Sequence, residues 1–270
     1  MYTLTKKTAD FFITVLIILI GAKNCICAEN NMVCGAYIAK NADYADSIAE
    51  YEELCGVKNS IYLLNTNKGY PKDKVIECYA CGKIPMLIVS GKTRLGQVPL
   101  LAEAAGEYGL PMYVCIGGSL DFYKYCVDIF RAKNKNIKFV QPVMLSSDTY
   151  EFAGIDYADM LAVTATITEN SDYAEICRAA EYADVPVMLN LAVCGYNSYS
   201  HSYQTFAAIR ALDYIYDLKK VYPDKLFGIN YINIKNNGRN YEVYTEQRLR
   251  TVYGGLVCKW GRSDFGLEEF

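Results

Sequence analysis

Residues 82–118, GKIPMLIVSGKTRLGQVPLLAEAAGEYGLPMYVCIGG, decide the fold. Ile84–Ser90 is an apolar run of strand length, with Pro85 near its start, where a strand tolerates proline. Gln97–Tyr108 changes period and mixes apolar positions with Glu103 and Glu107 at helical spacing. Gly109-Leu110-Pro111 stops that helix, and Met112–Gly117 begins a second apolar run. A strand that is apolar on both faces belongs to a parallel sheet covered by helices.

The same alternation extends in both directions. Strands are predicted at Met32–Ala39, Asn59–Asn65, Ile84–Ser90, Met112–Gly117, Ile137–Val143, Met160–Ile167, Val187–Val193 and Phe227–Asn233. Helical spacing occupies Ala42–Cys55, Lys72–Cys81, Gln97–Tyr108, Asp121–Lys133, Asp172–Ala183, Tyr203–Val221 and Tyr241–Lys259. Only the fifth unit is irregular, because Ser146–Ile155 holds little more than a helical turn. Strand onsets step by about 26 residues until the last, longer interval. An open doubly wound sheet seldom uses eight even repeats, and the leucine-rich solenoid signature is absent, so the expected architecture is a single-domain (β/α)8 TIM barrel.

Ahead of the first strand, Phe11–Ala22 is an apolar block behind Lys6 and Lys7. It is shorter than the ~20 residues of a spanning helix, and Ile26-Cys27-Ala28 ends in a small residue. Residues 1–28 therefore read as a secretory signal peptide, with an uncleaved N-terminal anchor as the alternative, and 29–270 as the barrel. Without 1–28 the chain has 24 Lys+Arg against 29 Asp+Glu, a net charge of −5. That balance lacks a basic footprint for nucleic acid.

Nine cysteines follow the leader: Cys34, Cys55, Cys78, Cys81, Cys115, Cys126, Cys177, Cys194 and Cys258. Most lie in apolar stretches, where cysteine acts as a small hydrophobe. Cys78-Tyr-Ala-Cys81 has CxxC spacing without the second pair of a tetrahedral metal site, and reads as helix filler. No metal site and no cofactor is predicted. Gly117-Gly118 alone is too little for a phosphate-binding fingerprint, which argues against a nucleotide.

In a barrel of this kind the ligand sits at the C-terminal strand ends. Those ends carry amides: Asn65, Gln141, Asn190, Asn230 and Asn233. Amides orient a polar ligand but do not transfer a proton near neutral pH. The acidic residues near the rim are Asp121, Asp148, Glu151, Glu169 and Asp172. Asp121 follows Ser119 at a helix N-cap, where a carboxylate favours the helix dipole.

The connection Gly195–Tyr203 carries Tyr196, Tyr199, Tyr203 and the only histidine, His201. Aromatic faces stack on sugar rings, so Tyr196, Tyr199 and His201 join Asn65, Gln141 and Asn190 as predicted ligand-binding residues. The alternative is a flexible polar loop in which Ser200 or Ser202 caps the following helix. His201 lacks neighbours for a metal or a catalytic triad, and no Gly-x-Ser-x-Gly elbow exists. Tyrosine outnumbers tryptophan 25 to 1, and Trp260 lies far from the rim, which weighs against a deep polysaccharide cleft.

Several motifs are similar to those of glycoside hydrolase family 26, the β-mannanase-type barrels of clan A. They are Gly35-Ala36-Tyr37, Gly82–Met86, Tyr108–Tyr113, Phe122–Arg131, Asn136–Val140, Val185–Leu189 and Tyr222-Pro223. The resemblance implies an acid/base glutamate after the fourth strand and a nucleophilic glutamate at the end of the seventh. In this register those positions hold Ser119 and either Leu191 or Asn190, none of which performs either role. Two functions follow: a secreted, non-catalytic barrel that binds a polysaccharide or oligosaccharide or a cell-surface partner, or an active β-mannanase-like glycoside hydrolase with relocated carboxylates, for which Asp121 and Glu169 are the candidates. A structural protein without a ligand is the third reading.

Overall fold

The apolar runs become strands because alternate residues find apolar surroundings on both faces of one closed sheet. In the computed structural model, the strands are β1 (Val33–Ile38), β2 (Ile61–Asn65), β3 (Ile84–Val89), β4 (Met112–Ile116), β5 (Ile137–Met144), β6 (Met160–Ile167) and β7 (Val187–Val193). Then come two-residue strands β8 (Tyr196–Asn197) and β9 (Ser202–Tyr203), the long β10 (Leu226–Asn233), and short β11 (Lys235–Asn236) and β12 (Arg239–Asn240). The eight long strands form a closed parallel barrel in the order β1-β10-β7-β6-β5-β4-β3-β2. The barrel lies within one compact unit, residues 32–270.

The structure describes residues 32–38, 47–144, 152–167, 183–233, 235–236, 239–243 and 247–262, with single positions at 176, 178, 181, 265, 267 and 270. The signal peptide expected at 1–28 lies outside the described residues, as do Glu169 and the rim acids Asp148, Glu151 and Asp172.

Helices α1 (Ile48–Cys55), α2 (Lys72–Ala80), α3 (Val98–Gly106), α4 (Leu120–Lys133), α5 (Thr205–Val221) and α6 (Gln247–Trp260) follow barrel strands. Local chemistry sets their ends. Ser47 and Glu50 form a capping box on α1, and Gly56 closes it in the left-handed region at φ 68°. Helix α6 starts six residues later than helical spacing suggests, because Asn240 and the 241–243 segment belong to the connection. In the expected helix before β7, Ile176, Arg178 and Glu181 are helical.

Residues of one parity, including Val33, Ile61, Leu63, Met86, Tyr113, Val140, Ala162 and Met188, fill the barrel interior. The opposite parity, with Cys34, Leu161, Leu189 and Ile229, packs outward against helices. The bottom of the barrel is closed by the tail: Phe270 packs on Tyr113 at 4.9 Å between ring centroids, and Phe265 on Phe227 at 5.6 Å. The Arg262 backbone ties this tail down, donating to Met32 O at 2.9 Å and accepting from Ser60 Oγ at 2.7 Å. Beside it, Glu52 accepts from Lys83 Nζ (2.8 Å), Tyr62 Oη (3.0 Å) and the Asn59 amide (2.9 Å).

Cys34, Cys55, Cys78, Cys115, Cys126 and Cys194 are buried and reduced, whereas Cys81 and Cys258 are exposed. Cys78 is helix filler as the spacing suggests, but Cys81 lies just past the end of α2 and faces solvent. Burial pushes the thiols of Cys34 and Cys115 up to about 12, which makes them poor nucleophiles. Among the described residues no helix is long and apolar enough to cross a membrane.

Candidate functional site

Strand parity sorts the five strand-end amides into two sets. Gln141 shares the outward face of Phe139 and Val143, and its Oε1 accepts from the Ala153 amide at 2.8 Å. It therefore ties the connection between β5 and β6 to the outward face of β5. Asn233 is also outward, donating to Tyr37 O and Tyr51 Oη and accepting from the Val243 amide. Asn65, Asn190 and Asn230 point inward. Leu191 is outward and buried, so of these two neighbours Asn190 is the one that β7 presents to the interior.

Thr164, Asn190, Asn230 and Gly35 are register partners on four adjacent strands, β6, β7, β10 and β1. They form one inward polar row. Thr164 is exposed, Asn190 is 7% exposed and Asn230 is fully buried. Asn230 Nδ2 donates to Asn190 Oδ1 at 2.8 Å, with the Met188 and Met86 sulfurs beside it. Asn230 Oδ1 is buried against Gly35 and has no hydrogen-bond partner. Glycine is required there, since a Cβ on residue 35 would collide with that oxygen.

The upper inward positions are neutral: Tyr37, Asn65, Ile88, Thr164, Thr166 and Asn190 contribute hydroxyls, amides and apolar surface. No inward position of the eight described barrel strands holds a carboxylate. Asn65 Oδ1 is occupied by the Asn67 amide at 2.8 Å. Asp121 is exposed in the first turn of α4, beside the N-cap Ser119 whose Oγ accepts from the Phe122 amide. Across the rim, the β3 and β4 loops meet backbone to backbone, since a Cβ on Gly91 would lie 2.6 Å from the Gly118 Cα. Among the described residues Glu242 is the only buried carboxylate, held in the connection whose backbone is fixed by Asn240. Among them, too, no group of three or more His, Cys, Asp or Glu could hold a metal ion.

The 195–203 connection is built rather than loose. Strands β8 and β9 form a hairpin, and β12 with β11 extends it into a four-stranded antiparallel sheet, order β11-β12-β8-β9. Gly195 N–H bonds to Asn240 O, and Gln204 N–H to Gly195 O, so this sheet stands on the ends of β7 and β10. Tyr196 and Tyr203 are cross-strand partners with ring centroids 5.1 Å apart. Tyr199 is 75% exposed at the hairpin tip, and His201 is exposed with φ 48°. Neither Ser200 nor Ser202 caps α5; their hydroxyls bond to each other at 2.6 Å, and α5 begins after Gln204 with no side-chain cap. Two-residue strands are too short to carry a period, which hides this sheet from sequence reading. Thr164 and Thr166, however, were readable: they continue the alternation Met160, Ala162.

No family model and no curated protein matches the sequence. Solved structures do match. The catalytic domain of a hyperthermophilic chitinase from Pyrococcus furiosus aligns with 86% of this chain and 97% of its own, at 12% identity and TM-score 0.59. XEG5A, a GH5 xyloglucan-specific endo-β-1,4-glucanase from a metagenomic library, covers 85% and 97%, at 12% identity and TM-score 0.55. Tryptophan synthase from M. tuberculosis also aligns, with 86% and 94% covered, 14% identity and TM-score 0.53. The shared property is the barrel: this chain has a single-domain (β/α)8 fold of the kind glycoside hydrolases use.

Proposed function

We propose that this protein is an exported, family 26-like barrel that binds carbohydrate at the C-terminal mouth without cleaving it. The observation that carries this reading is the chemistry of the inward strand ends, where amides and hydroxyls stand and no carboxylate does. Glycosidic cleavage of the usual kind requires two carboxyl groups, about 5–5.5 Å apart for retention or ~6.5–9.5 Å for inversion. Neutral groups instead suit the hydroxyls of a sugar, each of which donates and accepts. The tyrosine-bearing sheet beside the mouth supports the reading, since Tyr196, Tyr199 and Tyr203 offer flat faces for sugar rings. Residues 1–28, with Lys6 and Lys7 ahead of an apolar block, support export.

The test is calorimetric titration of the protein with mannohexaose, cellohexaose, xylohexaose and chitohexaose, alongside a reducing-sugar assay on the matching polymers. Binding of at least one hexaose with a Kd between micromolar and millimolar, weakened in Tyr196→Ala or Tyr199→Ala, is the expected result. Sustained reducing-sugar release would overturn the non-catalytic reading, and silence towards all four hexaoses would overturn the carbohydrate reading.

A further inference from the structure

The row Thr164–Asn190–Asn230 differs from ordinary core packing in where it begins and ends. It starts at an exposed hydroxyl and finishes at a buried carbonyl oxygen left without a partner. A buried orphan acceptor is costly, about 1–3 kcal/mol in most proteins. An apolar residue in place of Asn230 would remove that cost, so the carboxamide has to be explained by what it does for its neighbour. Its Nδ2 occupies the carbonyl oxygen of Asn190. With Asn190 Oδ1 engaged by Asn230, the amide group left to Asn190 for a ligand is its Nδ2, and the next residue in register on the other side is Thr164. The Gly35 backbone leaves the space Asn230 needs to hold this pose.

Building on the carbohydrate reading, we infer that Thr164 and Asn190 read one hydroxyl of an uncharged sugar, and that Asn230 is a positioning residue that fixes Asn190 as the donor. A sugar hydroxyl accepts from Asn190 Nδ2 while donating to Thr164 Oγ1, so both its functions are used. A carboxylate could only accept, and would be desolvated beside Ile88 and Ile232 with no cation on any upper inward position of the described strands. An ammonium group would find no anion there. The preferred ligand class is therefore a neutral oligosaccharide, with uronic acid polymers disfavoured.

The experiment uses the full chain and compares mannohexaose, cellohexaose, xylohexaose and chitohexaose with hexagalacturonate by calorimetry, for wild type, Thr164→Val, Asn190→Ala and Asn230→Asp. Thr164→Val is nearly isosteric at an exposed position and keeps the test valid if the buried variants fold poorly, which circular dichroism reports. The wild type is expected to bind a neutral hexaose at least tenfold tighter than hexagalacturonate. Thr164→Val and Asn190→Ala are each expected to lose about tenfold, the usual worth of one hydrogen bond. Folded Asn230→Asp is expected to lose as much without touching the sugar, because its carboxylate draws the Asn190 N–H group inward and leaves a carbonyl facing the mouth. A neutral hexaose bound equally well by folded Thr164→Val and Asn190→Ala overturns this inference while the carbohydrate reading stands. Unchanged affinity in folded Asn230→Asp overturns the positioning role. Hexagalacturonate bound as tightly as the neutral sugars overturns the ligand class. No binding of any hexaose by wild type overturns the carbohydrate reading and this inference together.

Discussion

The two ends of the barrel are built from different chemistry. At the floor, rings from the tail, Phe265 and Phe270, press onto Phe227 and Tyr113, and Glu52 satisfies three donors at once. At the mouth, polar groups line the interior, the buried Asn230 carbonyl oxygen and the Gln204 side-chain amide have no hydrogen-bond partner, and aromatic rings stand in solvent. The floor is mostly ring packing and one satisfied charge, with the Tyr113 hydroxyl an unpaired exception, whereas the mouth is mostly polar side chains. Such a division is expected of this fold, in which strand C-termini carry function and the opposite face carries stability.

If that contrast is right, the largest loss should come from the floor. Phe265→Ala removes a ring from the plug, and a loss of about 3 kcal/mol is expected. For a chain of this size that is a fall of roughly 10 °C in Tm, readable by calorimetry. A change under 1 kcal/mol would mean the tail lies on the floor without stabilising it.

Next comes Glu52→Ala, which strands Lys83 at a nearly buried position and frees the Tyr62 hydroxyl. About 2 kcal/mol is expected, below the usual cost of breaking a fully buried pair because both partners retain some solvent contact. Urea denaturation of Glu52→Ala and Glu52→Gln separates charge from hydrogen bonding, since the amide keeps an acceptor for Tyr62.

A smaller effect tests how dry both ends are. The thiols of Cys34, at the start of β1, and Cys115, higher in β4, are raised from 9.0 to about 12 by burial. A raised folded pKa means that above pH 9 the unfolded chain loses protons the native state keeps. The stabilisation is therefore complete below pH 9 and is lost as pH rises towards 12. About 1 kcal/mol per thiol should be gone by pH 10, seen as a falling urea midpoint. Cys34→Ala and Cys115→Ala should each flatten that pH dependence, and a steeper slope in either variant would contradict the account.

The smallest effect belongs to the mouth. Tyr199→Ala and Thr166→Val alter exposed side chains and should leave stability within about 0.5 kcal/mol, by the same urea measurement. A larger loss would show that the mouth shares the floor's structural duty.

Much of the barrel was legible because its strands are long enough to display a period. Met160–Ile167 and Val187–Val193 match the observed strands end to end, since each is a largely apolar run that opens directly after a polar or proline residue, Asp159 and Pro186. The site was legible only in residue type. Asn190 and Gln141 look alike along the chain, yet strand parity sends one to the mouth and the other to a loop amide. The small sheet over β7 and β10 arises from tertiary bonds such as Gly195 to Asn240, and no local pattern encodes it. Asn230 was visible as a strand-end amide, but its pairing with Asn190 depends on which strands become neighbours when the barrel closes.

That closure also bears on how the chain folds. Strand β1 pairs with β10, and Asn233 bonds to the Tyr37 carbonyl across 196 residues of sequence. During synthesis the outer edge of β1 thus has no barrel partner until β10 has been made. An unpaired edge is adhesive, and contacts of such sequence separation form slowly. The seam between β1 and β10 is therefore the pairing that removes the last open edge of the barrel.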